Sequence, residues 1–297
     1  MTWPLFWSNL ANAISLGSLY SLIAIGYTMV YGILRLVNFA HADLLMVAAY
    51  AALYGILIFR LPFVISVLLA IVLTAGVGVL IERRAYRPLR DSPRITAMIS
   101  AIGVSFLLEN LGLVLFTGRP KSFPVPGFLG ASTDIAGVRV SNITFVIIFV
   151  TAILLLIVLY VINKTKTGIA MRALARDFDT ARLMGVDVDS VISLTFALGS
   201  ALAAVGGVMW ALKFPQINPL MGMMPGLKCF IAAVFGGIGN VVGAVVGGFL
   251  LGVAEIMLVA FLPSVSGYRD AFAFVILIAT LLFRPTGLLG EKIGEKV

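Results

Sequence analysis

The residues able to do chemistry are few, and they sit inside or beside apolar runs. His41 is the only histidine, and with Asn38 and Asp43 it occupies positions i+3, i and i+5 of a polar break, Tyr31–Asp43, reading YGILRLVNFAHAD. Three groups so spaced do not make the closed four-ligand cage of a structural metal site. They do offer hydrogen-bond donors and acceptors where a span is interrupted, which is what a path for a polar solute needs. Asn240, at the end of the glycine cluster Gly236–Asn240, offers the same in the second half of the chain. No Ser-His-Asp set stands out, and neither a His-Glu-x-x-His nor a Gly-x-x-x-x-Gly-Lys-Ser/Thr segment occurs. If the protein uses ATP, another subunit must bind it.

Glu109, Asn110 and Glu255 fall within apolar runs, where a charged side chain costs roughly 2.5–3.5 kcal/mol and should face protein or water. Two readings stay open for the acids: they line a path, or they are protonated and hydrogen-bond a neighbouring helix. Gly239, Gly243 and Gly247 share one helical face, and Gly248 and Gly252 an adjacent one. Without side chains there, helix backbones approach closely in lipid, either within the chain or at a subunit interface.

The elements that must position these residues are membrane spans. The chain is 61% hydrophobic and 11% charged, against roughly 25% charged in soluble domains. Its apolar runs predict an all-α polytopic membrane protein, a single transmembrane domain over 1–297 with about eight transmembrane helices. They fall at Leu10–Val30, Leu44–Phe59, a third ending near Ile81, Ile95–Phe116, Ile143–Ile162, Val191–Leu212, Val241–Leu262 and about Tyr268–Phe283. Trp3 and Trp7 before the first span suit an interfacial belt. A shorter piece, Leu227–Phe235, crosses or half-crosses as part of a broken helix. The break after the first span and the glycine cluster Gly236–Asn240 hint at an inverted repeat.

The net charge of +8 records which loops stay in the cytoplasm rather than a nucleic-acid partner. Placing the Arg35 break, the Glu82–Arg94 loop, the Asn163–Ser190 loop and the tail with Arg284, Lys292 and Lys296 inside gathers two thirds of the 21 basic residues. The amino terminus is then outside and the carboxyl terminus inside. No basic region precedes Arg35, so no cleavable signal is expected. The single Cys229 excludes an intramolecular disulfide.

The longest polar interruption, Asn163–Ser190, reads NKTKTGIAMRALARDFDTARLMGVDVDS. Ala170, Leu174, Phe178 and Ala181 recur at helical intervals, and Arg172, Arg176 and Asp179 recur at intervals of four and three between them. The pattern predicts one short amphipathic helix at the cytoplasmic surface. Lipid, the chain's own bundle and a groove on a partner are all open as the place for its apolar face.

Within that loop, Asp179-Thr180-Ala181-Arg182-Leu183-Met184-Gly185 resembles the Glu-Ala-Ala-x-x-x-Gly coupling segment of ABC importer permeases, with Asp for Glu and Thr for the first Ala. Gly26–Gly32 (GYTMVYG), Val37–Asp43 (VNFAHAD), Ala181–Val186 (ARLMGV) and Phe235–Ala244 (FGGIGNVVGA) resemble, in the same order, the branched-chain amino acid permeases of the LivH type. Ala42-Asp43 stands where many relatives have Gly-Glu, and the acidic residue is kept.

The resemblance implies a bacterial inner-membrane permease subunit for leucine, isoleucine and valine. Its implied partners are a second permease, a related chain or a copy, two cytoplasmic ATPases and a periplasmic or lipid-anchored binding protein. The chain itself would hold no cofactor, with ATP and Mg²⁺ on partner subunits. On this view Arg172, Leu174, Arg176, Phe178, Asp179, Ala181 and Gly185 couple to the ATPase. Asn38, His41, Asp43 and Asn240 border the path. Other cargo within the family, such as amides or urea, stays open. So does a self-sufficient carrier or channel with Glu109 and Glu255 as its ion-coupling groups.

Overall fold

The structure, a computed structural model, describes residues 3–90, 92–135 and 137–290. Lys292 and Lys296, counted above toward an inside tail, lie outside the described residues. The helices in order are α1 (Trp3–Leu34), α2 (Asp43–Leu57), α3 (Phe63–Ile81), α4 (Arg94–Phe116), α5 (Gly127–Gly130), α6 (Asn142–Lys164), α7 (Lys166–Arg176), α8 (Phe178–Leu183), α9 (Val188–Lys213), α10 (Met223–Gly236), α11 (Val241–Phe261) and α12 (Arg269–Phe283). Four short strands complete the described chain: β1 (Lys121–Ser122), β2 (Ser132–Ile135), β3 (Val138–Ser141) and β4 (Gln216–Ile217).

Two ends can be told apart by their contacts. At one, Arg35 Nη2 donates to Ala175 O of α7 at 3.3 Å, Asn240 Nδ2 donates to Leu289 O at 2.8 Å, and Arg87 pairs with Asp189 at the start of α9. At the far end, Lys213 Nζ donates to Ser15 Oγ at 2.9 Å, β1 pairs antiparallel with β4, and Lys121 Nζ donates to Tyr54 OH at 2.7 Å. The Pro/Gly-rich loop Thr117–Ser141 lies at this far end and folds into α5 and the β2–β3 hairpin, beyond the plain loop expected from sequence. Its strands are short and paired, which satisfies backbone groups that a helix cannot.

α1 runs the whole depth, beginning at Trp3 rather than after it. It ends where Arg35 takes φ +54, a left-handed conformation that closes helices. Residues 35–42 then turn back into the bundle, with one 3₁₀ turn at Phe39–His41, and α2 starts only at Asp43 beside the middle of α1. The second half does the same in reverse. α9 crosses to the far end, 214–222 turns back, and α10 starts at Met223, so that Gly222 and Gly226 lie directly on Ala42. The 15 residues of α2 and 14 of α10 span about 21–23 Å at 1.5 Å per residue. That is less than the ~30 Å hydrocarbon core. Each is a half-crossing completed by irregular chain, which is tolerated at depth because protein covers it.

Among the described residues, eight helical runs are long and apolar enough to cross a membrane, one of them α2 together with the 3₁₀ turn that precedes it, Phe39–Leu57. The pass made by 214–222 and α10 joins them, so the first and last described residues lie at opposite ends. Exchanging α1 with α9, α2 with α10, α3 with α11 and α4 with α12 preserves the main packing. α1 meets α11 as α9 meets α3, α2 meets α3 as α10 meets α11, and α2 meets α9 as α10 meets α1. Corresponding helices run in opposite directions, so the repeat is inverted. Its register differs from the sequence expectation: the counterpart of the break after α1 is 214–222, ahead of α10. The glycine cluster Gly236–Asn240 is the turn between the second and third helices of the second repeat.

The small-residue faces act within the chain. Gly243 and Gly247 lie on α10 at Gly236 and Ala232, while Gly248 and Gly252 lie on α1 at Ser21 and Gly17. Gly239 does not share their helix. It belongs to the turn, at φ +98, because α11 begins at Val241 under an Asn240 cap.

Candidate functional site

Where α2 and α10 begin, the backbone of two helices starts from one place. Each brings the positive end of its dipole, although Leu45 N, Met223 N and Gly226 N are already bonded to Ala42 O, Leu220 O and Gly222 O and Pro225 has no N–H. Asn38, His41 and Asp43 converge here, 3%, 1% and 2% exposed. Tyr86 OH donates to Asn38 Oδ1 at 3.1 Å, and Ser105 Oγ donates to Asp43 Oδ2 at 2.6 Å. The imidazole of His41 lies against Tyr27, ring centroids 4.4 Å apart, in space that Gly26 leaves open. A Cβ on Gly26 would sit 2.5 Å from that ring. The result is a closed, protein-covered polar centre held by α1, the helical turn Glu82–Tyr86 that follows α3, α4 and α10.

Asn240 does not join it. Its Oδ1 accepts from Gly243 N at 3.1 Å and caps α11, and its amide holds the chain at Leu289, all at the α7 end. An Asn after glycines reads equally well as a helix cap, and the cap is what it is. Glu109 is half-buried and Asn110 exposed on α4, where Asn110 Nδ2 donates to Phe106 O of its own helix.

The Asn163–Ser190 loop folds into two helices ahead of α9, not one. Asp177 adopts an extended conformation and its Oδ1 accepts from Asp179 N and Thr180 N, so it ends α7 and caps α8. A side chain that competes for backbone N–H groups outweighs the continuous apolar periodicity. The periodic apolar residues also divide. Leu174 and Ala181 are buried in the chain's own bundle beside Met171, so that half of the face is not available to a partner. Phe178 is 36% exposed, while Leu183 and Met184 stand out at 89% and 80%. Asp179, Arg176 and Arg182 are exposed around them, and Arg172 turns back to the carbonyl of Ile162. Gly185, at φ +83, turns the chain toward α9 in a conformation that side-chain-bearing residues seldom adopt. Asp187 caps α9, and the bonds from Ser190 hold its carboxyl below the usual carboxylate range.

Two ion clusters went unread in the sequence. Near the α7 end, buried Glu82 pairs with Arg90 and accepts from Ser193 Oγ at 2.6 Å, while Arg90 and Arg87 reach Asp189. On the far side, Glu255, with no exposed surface, pairs with Lys228 at 2.5 Å and with Arg269, and accepts from Tyr20 OH at 2.8 Å. Lys228 also pairs with Asp270 at 2.6 Å. Glu255 is thus surrounded as an ion-paired carboxylate that ties α10, α11, α12 and α1 together, rather than as a lone protonated acid. Lys228 gave a signal that could have found it: a single lysine in one apolar segment predicts a single acid in another.

An inverted-repeat bundle with two half-helices meeting inside it, and a two-helix loop projecting from one end, defines a polytopic permease. The chain belongs to the family described as branched-chain amino acid transport system / permease component, whose pattern matches residues 9–281. It is 42% identical over 302 residues to the high-affinity branched-chain amino acid transport system permease protein BraD of Pseudomonas aeruginosa, covering 97% of each chain. It is 40% identical over 304 residues to the corresponding permease protein LivH of Escherichia coli, covering 98% of each. A probable branched-chain amino acid transport permease protein LivH of Methanocaldococcus jannaschii shares 31% identity over 297 residues, 95% of this chain and 91% of that one.

Proposed function

We propose that this chain is the membrane-spanning permease subunit of an ATP-driven, binding-protein-dependent importer of leucine, isoleucine and valine. Its partners are a second permease, two ATPases that hold ATP and Mg²⁺, and a binding protein that selects cargo. The membrane is the bacterial inner membrane, with the α7 end in the cytoplasm and the amino terminus outside. Family membership and the cargo named for its relatives support the substrate class.

The observation that carries the mechanism is the division of the α7–α8 loop. Its root, at Met171, Leu174 and Ala181, is packed in the bundle, while its tip, at Leu183 and Met184, is apolar and bare. A tip so built fits an apolar cleft on another protein, with Asp179, Arg176 and Arg182 fixing orientation by charge. Movement of the ATPases then acts through the root on α1 and α9, which carry the two repeats. The repeats rock about the centre formed by Asn38, His41 and Asp43, opening it to one side at a time. The rival reading, a carrier driven by ions at Glu109 and Glu255, has Glu255 paired with Lys228 and Arg269 and rests on the half-buried Glu109.

Met184→Asp tests the assignment. Co-purification with the ATPases and leucine uptake should both fall by about tenfold, as for an anchor residue at an interface. Unchanged co-purification together with unchanged uptake would remove the coupling role from this loop.

A further inference from the structure

At the α7 end, a groove of about 340 Å³ opens between the end of α10, α12 and the strap 284–288. That volume is at the low end of the roughly 300–1,000 Å³ of small-molecule sites. Its walls are Phe235, Ile276, Ala279, Phe283 and Leu288, and Thr280 has already given its hydroxyl proton to Ile276 O at 2.7 Å. The strap is fixed in place: Leu288 N donates to Phe235 O at 2.9 Å, and Leu289 N to Gly236 O at 2.9 Å. The groove is therefore part of the folded bundle and not a gap under loose chain.

One charge stands at its rim. Arg284 is exposed where α12 ends, and its Nη2 donates to Leu288 O at 3.0 Å. Among the described residues no carboxylate pairs with it. The outward face of α12 beside the groove is apolar and bare, with Leu282 at 73% and Phe283 at 86% exposure. An apolar slot along the last two turns of a span, ending in a guanidinium at the level where the span stops, has the layout of one lipid molecule. The slot suits an acyl chain, and the planar, many-donor guanidinium suits a phosphate.

We propose that this groove binds one anionic phospholipid, with its chain against Ile276 and Phe283 and its phosphate on Arg284. The site depends on the chain's lying in a bilayer and not on what it transports. Failure of the transport reading would leave it standing, and its own failure would leave transport untouched. The lipid would also brace α12 against α10, the half-helix that reaches the polar centre.

Native mass spectrometry of the purified full chain, exchanged into micelles doped with phosphatidylglycerol or with phosphatidylcholine of the same chains, reads the site directly. The wild type should retain one phosphatidylglycerol about fivefold better than phosphatidylcholine, the gain expected from one basic contact at the headgroup. Arg284→Gln should abolish that preference, and Arg284→Lys should keep most of it, which separates loss of charge from loss of fold. Ile276→Trp, which fills the slot, should lower retention of both lipids. Equal retention of the two lipids by the wild type would overturn the proposal. An unaltered preference in Arg284→Gln, or unaltered retention in Ile276→Trp, would do the same.

Discussion

Two four-charge clusters pin the elbows of the two repeats, and they are set into the molecule differently. Around Glu82, the elbow between α3 and α4 is tied to α9 by Arg90, Arg87 and Asp189. Around Glu255, the approach to α12 is tied to α10 by Arg269, Lys228 and Asp270. Both are electrically balanced and each contains a glutamate with no exposed surface, but Glu82 ends its row of pairs through Arg90 alone whereas Glu255 holds two cations. The first lies where a span ends, and Asp189 and Arg87 are 42% and 46% exposed. The second extends into the bundle through Lys228, whose side chain is only 8% exposed. Two cations and two acids therefore make a water-screened clasp in one repeat and a desolvated bolt in the other. The bolt is attached to the half-helix that starts at the polar centre.

If that difference is physical, the two clusters respond unequally to the loss of one member. Lys228→Met should cost the most, about 3–5 kcal/mol, because it leaves Glu255 buried with a single partly exposed cation. Denaturation in a graded SDS series reads the loss. The double variant with Glu255→Met should recover at least half of it, since an apolar pair of similar volume is tolerated where half an ion pair is not. Glu82→Gln should cost less, about 1–2 kcal/mol, as Arg90 keeps Asp189 and the amide still accepts from Ser193. Asp189→Asn should cost under about 1 kcal/mol and lose even that in high salt, as partly exposed pairs do. Equal losses at Glu82 and Lys228 in the same series would erase the distinction between clasp and bolt.

Much of the architecture was legible because lipid imposes a simple rule. Long apolar helices satisfy their own backbone, so span positions follow from hydropathy, and the bounds of α3, α4, α6 and α11 differ from expectation by a residue or two. The family was legible from short motifs. Less of the site was. Asn38, His41 and Asp43 were singled out and are all buried, each on its own partner, as neighbours in one break that the bundle covers. Asn240 was grouped with them by chemistry alone, and local capping placed it elsewhere. The amphipathic period over Ala170–Ala181 was present, yet Asp177 split the helix, since a short-range side-chain bond to the backbone is invisible to a periodicity count. Lys228 and Glu255 lie in separate spans, and nothing local indicates that they touch.

The sequence by itself determined the number and rough limits of the spans, the polar breaks and the family. Those depend on the transfer of each segment from water to hydrocarbon, a property summed over consecutive residues. Only the tertiary structure decided that α2 and α10 are half-helices starting back to back, and which half of the α7–α8 loop is left bare. It also decided that two distant glutamates belong to ion clusters. Those depend on which surfaces cover one another, and in a bundle each helix's partners are fixed by close packing across the whole chain rather than by its neighbours along it.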